Sequence, residues 1–127
     1  MYDVIIVGGG PGGITAALYT VRANLNTLLL ESQFLGGNPS YADLVENYPG
    51  FPDGIKGFEL GQRMAKQLEN VGEDIKMAEV EKIDFDTMTV YTRTEEFKTK
   101  TIILSMGLKH KELGIPTEKE FRGKGVV

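Results

Sequence analysis

The stretch DVIIVGGGPGG, residues 3–13, decides the fold of this chain. Its apolar part, VIIV at positions 4–7, is an unbroken β-branched run, typical of strands that are covered on both faces in a parallel sheet. The six positions that follow hold five glycines and one proline. Because the apolar run is too short for a core helix, the pattern predicts a buried strand that ends in a sharp glycine-rich turn.

A helix and a second strand follow the turn. Ile14, Leu18 and Val21, or Ala17 in place of Val21, lie at helical spacing within residues 14–23. Residues 24–26 end this helix, and TLLL at 27–30 is a second buried-strand run. The result is a β–turn–α–β unit within 31 residues, the minimal parallel crossover. We therefore predict an α/β fold with a parallel sheet of the Rossmann-like, FAD- or NAD(P)-binding type.

The turn matches the G-x-G-x-x-G pattern at Gly8, Gly10 and Gly13. The first glycine allows the sharp turn, the second lets the backbone approach a pyrophosphate, and the third lets helix and strand pack closely. Residues 1–55 contain one basic residue, Arg22, against five acids. An anion at this turn would therefore be held by backbone N–H groups and the helix dipole. The alternative is a structural glycine-rich loop, and a P-loop is disfavoured because no Gly-Lys-Ser/Thr follows.

Glu31 ends the second strand run, 18 residues after Gly13. A carboxylate at this place can accept hydrogen bonds from both hydroxyls of a ribose, and it would repel a 2′-phosphate. The first nucleotide is therefore expected to be FAD or NAD, not NADP.

The middle of the chain is expected to contain a ligand-contacting loop and an amphipathic helix. Residues 32–57 are rich in Gly and Pro and lack periodicity, which favours a functional loop over a merely structural one. Apolar residues from Phe58 to Val71 have helical spacing, with an end near Gly72, and the Phe and Met of this helix are expected in the core.

The second half of the chain has strand patterns. Residues 75–78 are predicted to add a third strand to the parallel sheet. Three short runs then predict a small antiparallel β-meander at 80–85, 89–93 and 97–101. A further buried strand is expected at 101–105, followed by Gly107 where open α/β sheets bind ligands.

Composition excludes several classes of function. The 127 residues include no cysteine, which excludes disulfides, thiolate zinc sites and thiol redox chemistry within the chain. The net charge of −4 disfavours binding to nucleic acid or to an anionic membrane. No signal peptide or membrane span is expected, and His110, the single histidine, is expected to be solvated. No catalytic group or metal site is predicted, so the pattern indicates binding chemistry.

Four stretches resemble a known family. YDVIIVGGGPGGITAALY, GGN in place of the usual GGQ, VENYPGFP and ELGIPTEKEFRGKGV are similar to the N-terminal part of low-molecular-weight thioredoxin reductase, in order and at the family's spacing. The resemblance implies transfer of electrons from NADPH through FAD to a Cys-x-x-Cys disulfide and on to thioredoxin. It also implies a homodimer in the cytoplasm.

The resemblance assigns cofactor-binding roles by position. It implies that the FAD pyrophosphate loop is formed by Gly8, Gly10, Pro11, Gly12 and Gly13 and that the ribose-binding acid is Glu31. The segment beside the flavin is then Gly36, Gly37 and Asn38, and the isoalloxazine contact is Asn47. The adenine-contacting pair is Glu79 and Val80, and the strand-end glycine is Gly107. The chain departs from the family pattern at Asn38, at Ser105-Met106-Gly107 in place of A-T-G, and at Thr117 in place of glycine.

The resemblance also predicts the domain organisation. Residues 1–113 are expected to be the N-terminal segment of an FAD-binding domain whose closing C-terminal segment is absent, and residues 114–127 a crossover toward an absent NADPH domain. The chain is then a fragment or half of a split protein, inactive alone. The alternatives are a thioredoxin-reductase-like ferredoxin or flavodoxin NADP reductase without redox cysteines, and a stand-alone nucleotide-binding module.

Overall fold

A computed structural model describes residues 1–125, which form one six-stranded sheet with helices packed against it. The strands are β1 (Tyr2–Val7), β2 (Thr27–Glu31), β3 (Asp74–Met77), β4 (Val80–Asp84), β5 (Thr89–Thr92) and β6 (Glu96–Leu104). The helices are α1 (Pro11–Arg22), α2 (Gly57–Val71) and the short α3 (Glu118–Phe121), with a 3₁₀ turn at Asn38–Tyr41. The strand order across the sheet is β3-β2-β1-β6-β5-β4.

The predicted β–turn–α–β unit is confirmed. β1 and β2 pair in parallel, with Val4 opposite Thr27 and Val7 opposite Leu30. Ile5 and Ile6 are completely buried although they point to opposite faces, because the sheet is covered on both sides. Val4 and Ile6 pack in the core beneath α1 and α2, while Ile5 and Val7 pack against the meander residues Val90 and Phe97. The unbroken apolar run is thus explained by two cores that share one strand.

α2 and β3 extend the parallel sheet as expected. α2 ends at Gly72, whose left-handed backbone (φ 73°) closes the helix. β3 then pairs in parallel with β2. Neither α1, with 12 residues, nor α2, with 15, nor any other helix within residues 1–125 is long and apolar enough to cross a membrane.

The placement of Phe58 in the core was wrong. Met64 is buried as expected, together with Leu60 and Leu68, but Phe58 is 66% exposed. The buried stripe of α2 also includes the glycines Gly57 and Gly61, which face the loop that precedes the helix. Phe58 lies about 100° around the helix from Gly57, off this stripe.

The meander is confirmed, but its last strand differs from the prediction. β4, β5 and β6 pair antiparallel in sequence order. The two strands expected at 97–101 and 101–105 are one continuous strand, because β6 pairs with β5 from Glu96 to Lys98 and with β1 from Thr99 to Leu104. The end of β6 is also less buried than predicted, with Leu104 49% exposed. The N–H of Thr99 donates to the carbonyl of Met88 at 3.1 Å, and beyond it the strand pairs of residues 1–125 bond Lys100–Leu104 on the β1 side alone.

One carboxyl group should make stability depend on pH. Glu73, between α2 and β3, has a buried Oε1 with no hydrogen-bond partner among the described residues. Burial first, and the charge of Asp74 second, raise the pKa of Glu73 from 4.5 to about 7. The folded state therefore holds a proton that the unfolded state releases over this range, so the free energy of unfolding should fall as pH rises from about 4.5 to about 7.

Glu73→Gln is expected to raise the melting temperature at pH 8 and to leave it nearly unchanged at pH 4, because the amide mimics the protonated acid. Thermal denaturation followed by circular dichroism at both pH values measures this. The exposed Glu81→Gln is the matched control. An equal gain from Glu73→Gln at both pH values would contradict the role of ionisation.

Candidate dinucleotide site at the glycine-rich turn

The first and third glycines of the turn are required by close backbone packing. Gly8 has a φ of 105°, and a Cβ built on it would overlap the carbonyl of Ser105 at the end of β6. A Cβ on Gly13 would overlap the carbonyl oxygen of Gly8 and lie 2.8 Å from Ser105 Oγ. The turn therefore brings β1, α1 and β6 together at a point where no side chain fits.

The second glycine and Gly12 have room for a Cβ at ordinary contact distance and line the cleft. A Cβ on Gly10 would have Gly37 Cα as its nearest neighbour at 3.8 Å, and a Cβ on Gly12 would lie 3.8 Å from Ser105 Cβ. Gly10 is the N-cap of α1, Pro11 follows it, and no side chain caps the helix. The first N–H groups of α1 are consequently free to bind an anion.

A cleft of about 630 Å³ lies over this turn. A smaller depression of about 210 Å³ adjoins it, since the two share Gly8, Glu31, Ser32 and Met106. Both lie at the carboxyl ends of β1, β2 and β6, the edge at which open α/β sheets bind ligands. The combined size falls in the range of small-molecule sites, which is roughly 300–1,000 Å³.

Glu31 has a structural role that the sequence did not reveal. Its Oε2 accepts a hydrogen bond from the N–H of Gly9 at 2.6 Å, and its Oε1 accepts one from the N–H of Gln33 at 2.8 Å. The carboxylate thus ties the glycine turn to the end of β2. Each oxygen keeps a further lone pair, and Glu31 lines both parts of the cleft, so it can still accept hydrogen bonds from a ligand.

The segment at 36–38 contributes two of its three residues to the cleft. Gly37 and Asn38 line it, and Asn38 Nδ2 donates to the carbonyl of Leu108 at 3.1 Å. Gly36 packs instead against α2, where a Cβ would lie 2.7 Å from Gly61 Cα. Its N–H donates to the carbonyl of Gly9 at 2.8 Å, which docks this segment on the turn.

Ten of the thirteen predicted cofactor residues line the cleft and its adjoining depression, and three do not. Gly13 and Gly36 serve packing, and Asn47 lies beside a separate depression in the loop from Glu46 to Pro52. The fold therefore brings together Gly8, Gly10, Pro11, Gly12, Glu31, Gly37, Asn38, Glu79, Val80 and Gly107.

Several lining residues were not predicted. Ser105 lies behind the turn, where its Oγ is 3.0 Å from the carbonyl oxygens of both Val7 and Gly8 and donates to them. Phe34 and Tyr41 form an edge-to-face pair with ring centroids 5.5 Å apart. The position of Ser105 at a strand end was a usable signal, whereas the aromatic pair lies in loop sequence without periodicity. His110 is exposed, as expected.

Comparison with known proteins gives the family. Residues 2–127 match the family described as pyridine nucleotide-disulphide oxidoreductase. The chain is 43% identical over 127 residues to thioredoxin reductase of Treponema pallidum, covering 98% of this chain and 41% of that protein. It is 39% identical over 128 residues to thioredoxin reductase of Bacillus subtilis, covering 99% of this chain and 40% of that protein.

The fold matches as well. The crystal structure of Lactococcus lactis thioredoxin reductase, described as the FR conformation, superposes with a TM-score of 0.87 at 41% identity and covers 97% of this chain. The chain spans about 40% of the length of these relatives. It belongs to the pyridine nucleotide-disulphide oxidoreductase family.

Alanine substitutions should distinguish the packing glycines from the cleft-lining glycines by their loss of stability. Gly13→Ala is expected to destabilise the fold by about 1–3 kcal/mol, because its Cβ overlaps the Gly8 carbonyl. Gly10→Ala should cost less than about 1 kcal/mol, because the site is open and the change affects only an N-cap. Urea denaturation measures both. Equal stability losses would contradict the division of the motif into packing and cleft-facing glycines.

Proposed function

We propose that this member of the pyridine nucleotide-disulphide oxidoreductase family binds FAD along the cleft and forms the FAD-binding part of a thioredoxin-reductase-like flavoenzyme. The observation that supports this best is the uncapped start of α1, with the open positions at Gly10 and Gly12, facing a cleft that also contains the carboxylate of Glu31. Free backbone N–H groups at a helix start bind phosphate, and an acid beside them binds ribose hydroxyls. The two together are the pattern expected for a nucleotide site.

The residues present fit the cofactor. The N–H groups at the start of α1 would hold the diphosphate, and Glu31 would hold the ribose hydroxyls of the adenosine. The depression lined by Glu79 and Val80 adjoins the cleft at Glu31 and would take the adenine. Asn38 and Gly107 line the larger part of the cleft and would lie toward the flavin. Asn47 would contact the isoalloxazine by the family resemblance, although it lines a separate depression and not the cleft.

The intact enzyme is proposed to follow the reaction implied by the resemblance. Bound FAD would supply two-electron transfer from NADPH to a disulfide of the enzyme, and the dithiol formed in this way would reduce the disulfide of thioredoxin. These 127 residues contain no cysteine, so in this proposal the disulfide comes from another part of the intact enzyme. The names of the relatives support thioredoxin as the partner. The cytoplasmic location and the homodimer rest on the family resemblance.

The domain organisation is also a proposal. We assign residues 1–113 to the FAD-binding domain and residues 114–127 to a crossover segment. The support is the end of the sheet at Leu104, after which the next element is the short α3 at Glu118–Phe121. A local unit spans the proposed boundary, since the carboxylate of Glu118 accepts hydrogen bonds from the N–H groups of Leu113 and Gly114.

The purified chain is expected to bind one equivalent of FAD. Flavin absorbance should co-elute with the protein in gel filtration, and native mass spectrometry should show the mass of the protein plus one FAD. NAD should compete, whereas NADP should compete more weakly because Glu31 repels its 2′-phosphate. Absence of bound FAD, or stronger competition by NADP than by NAD, would overturn the proposal.

Glu31→Gln should lower FAD affinity by about 1–3 kcal/mol, because the amide loses charge-assisted hydrogen bonds to the ribose. The amide oxygen can still accept from one backbone N–H, so the variant tests charge while retaining the shape of the side chain. Titration of FAD by flavin fluorescence measures the change, with Glu46→Gln as the control in a loop outside the cleft. Unchanged affinity would remove Glu31 from the ribose site.

A further inference from the structure

Positive charge is scarce near the glycine turn in the sequence. Arg22 is the single basic residue among residues 1–55. It lies in the last turn of α1, and the helix starts at Pro11. At 1.5 Å of rise per residue, Arg22 is roughly 16 Å along the axis from the end that faces the cleft. The first part of the chain therefore places no cationic side chain at the cleft.

The fold supplies a cation from a distant part of the chain. Lys109 lines the cleft together with Gly10, Gly12 and Glu31. It is the one basic residue among those that line the cleft within residues 1–125. Its neighbours His110 and Lys111 do not line it.

The backbone that carries Lys109 is anchored at three points. The N–H of Ser105 donates to the carbonyl of Val7 at 2.8 Å, and Ser105 Oγ donates to the Gly8 carbonyl at 3.0 Å. Asn38 Nδ2 donates to the carbonyl of Leu108 at 3.1 Å, and this carbonyl belongs to the peptide bond that joins Leu108 to Lys109. The start of the lysine side chain is thus held against both the glycine turn and the segment opposite it.

The ammonium group of Lys109 is available for a ligand. Lys66, Lys76 and Lys100 form ion pairs with carboxylates, whereas no ion pair within residues 1–125 involves Lys109. A dinucleotide in the cleft would bring two phosphate charges and would displace water from around the lysine, which strengthens their attraction.

We propose that Lys109 is a positioning residue that pairs with the diphosphate of the bound dinucleotide and so complements the backbone N–H groups of the turn. The inference rests on the proposed function, since it requires a dinucleotide in the cleft. Lysine acts here as a point charge on a flexible stem, so arginine should replace it with little loss and a neutral side chain should not.

The test compares Lys109→Met, Lys109→Arg and Lys111→Met in the full chain, titrated with FAD and with ADP by isothermal calorimetry. Lys109→Met should weaken the binding of both ligands about two- to fivefold, in line with the modest strength of exposed charge pairs. It should also reduce the loss of affinity between 50 mM and 500 mM NaCl, since one screened attraction is gone. Lys109→Arg and Lys111→Met should match the native chain. Thermal melting establishes that all variants are folded.

Each outcome decides between the proposals. If the native chain binds neither FAD nor ADP, both the proposed function and the role of Lys109 are overturned. If it binds and Lys109→Met binds equally well, or Lys111→Met loses as much, only the role of Lys109 is overturned. A loss for FAD without a loss for ADP would place the charge at the flavin, and the pairing with the diphosphate would be wrong.

Discussion

The contact between the Gly13 backbone and the carbonyl of Gly8, with the end of β6 behind it, is the constraint on which the rest of the site depends. A Cβ on either glycine would collide with backbone atoms. The start of α1, the end of β1 and the end of β6 therefore pack backbone against backbone at this point. This approach directs the first turn of α1 at the edge of the sheet. It also leaves the N–H groups of that turn without a side-chain cap.

The same residues hold the turn and form the site. Glu31 binds the N–H of Gly9 at 2.6 Å while it lines the cleft, so the acid that would recognise a ribose also fixes the loop that would recognise phosphate. Such sharing keeps the two recognition elements in register without additional side chains. It also means that any substitution of Glu31 changes the loop as well as the ligand contact, which is why the amide is a better probe than alanine.

Three of the four departures from the family pattern line the cleft, and Thr117 is the exception. Asn38, shorter by one methylene than the usual glutamine, reaches the carbonyl of Leu108. Ser105, in place of alanine, adds a hydroxyl that bonds the carbonyls of Val7 and Gly8. Met106 lines both parts of the cleft. These three positions are linked through the exit of β6, so this chain secures that exit with side-chain hydrogen bonds.

Sequence alone determined the elements whose signals are local. The β1–turn–α1–β2 unit, the end of α2 near Gly72 and the roles of the three motif glycines follow from apolar periodicity, from a glycine just past the last periodic residue and from the spacing of the motif. Tertiary structure decided what depends on distant pairing. β6 is one strand because two different neighbours bond its two halves, and Asn38 lines the cleft whereas Asn47, in the loop closed by the Val45–Ile55 bridge, lines a separate depression. Likewise, Lys109 lies at a cleft that residues 8–41 line on its other sides because β6 pairs beside β1, since neighbours across a sheet are set by strand order and not by spacing along the chain.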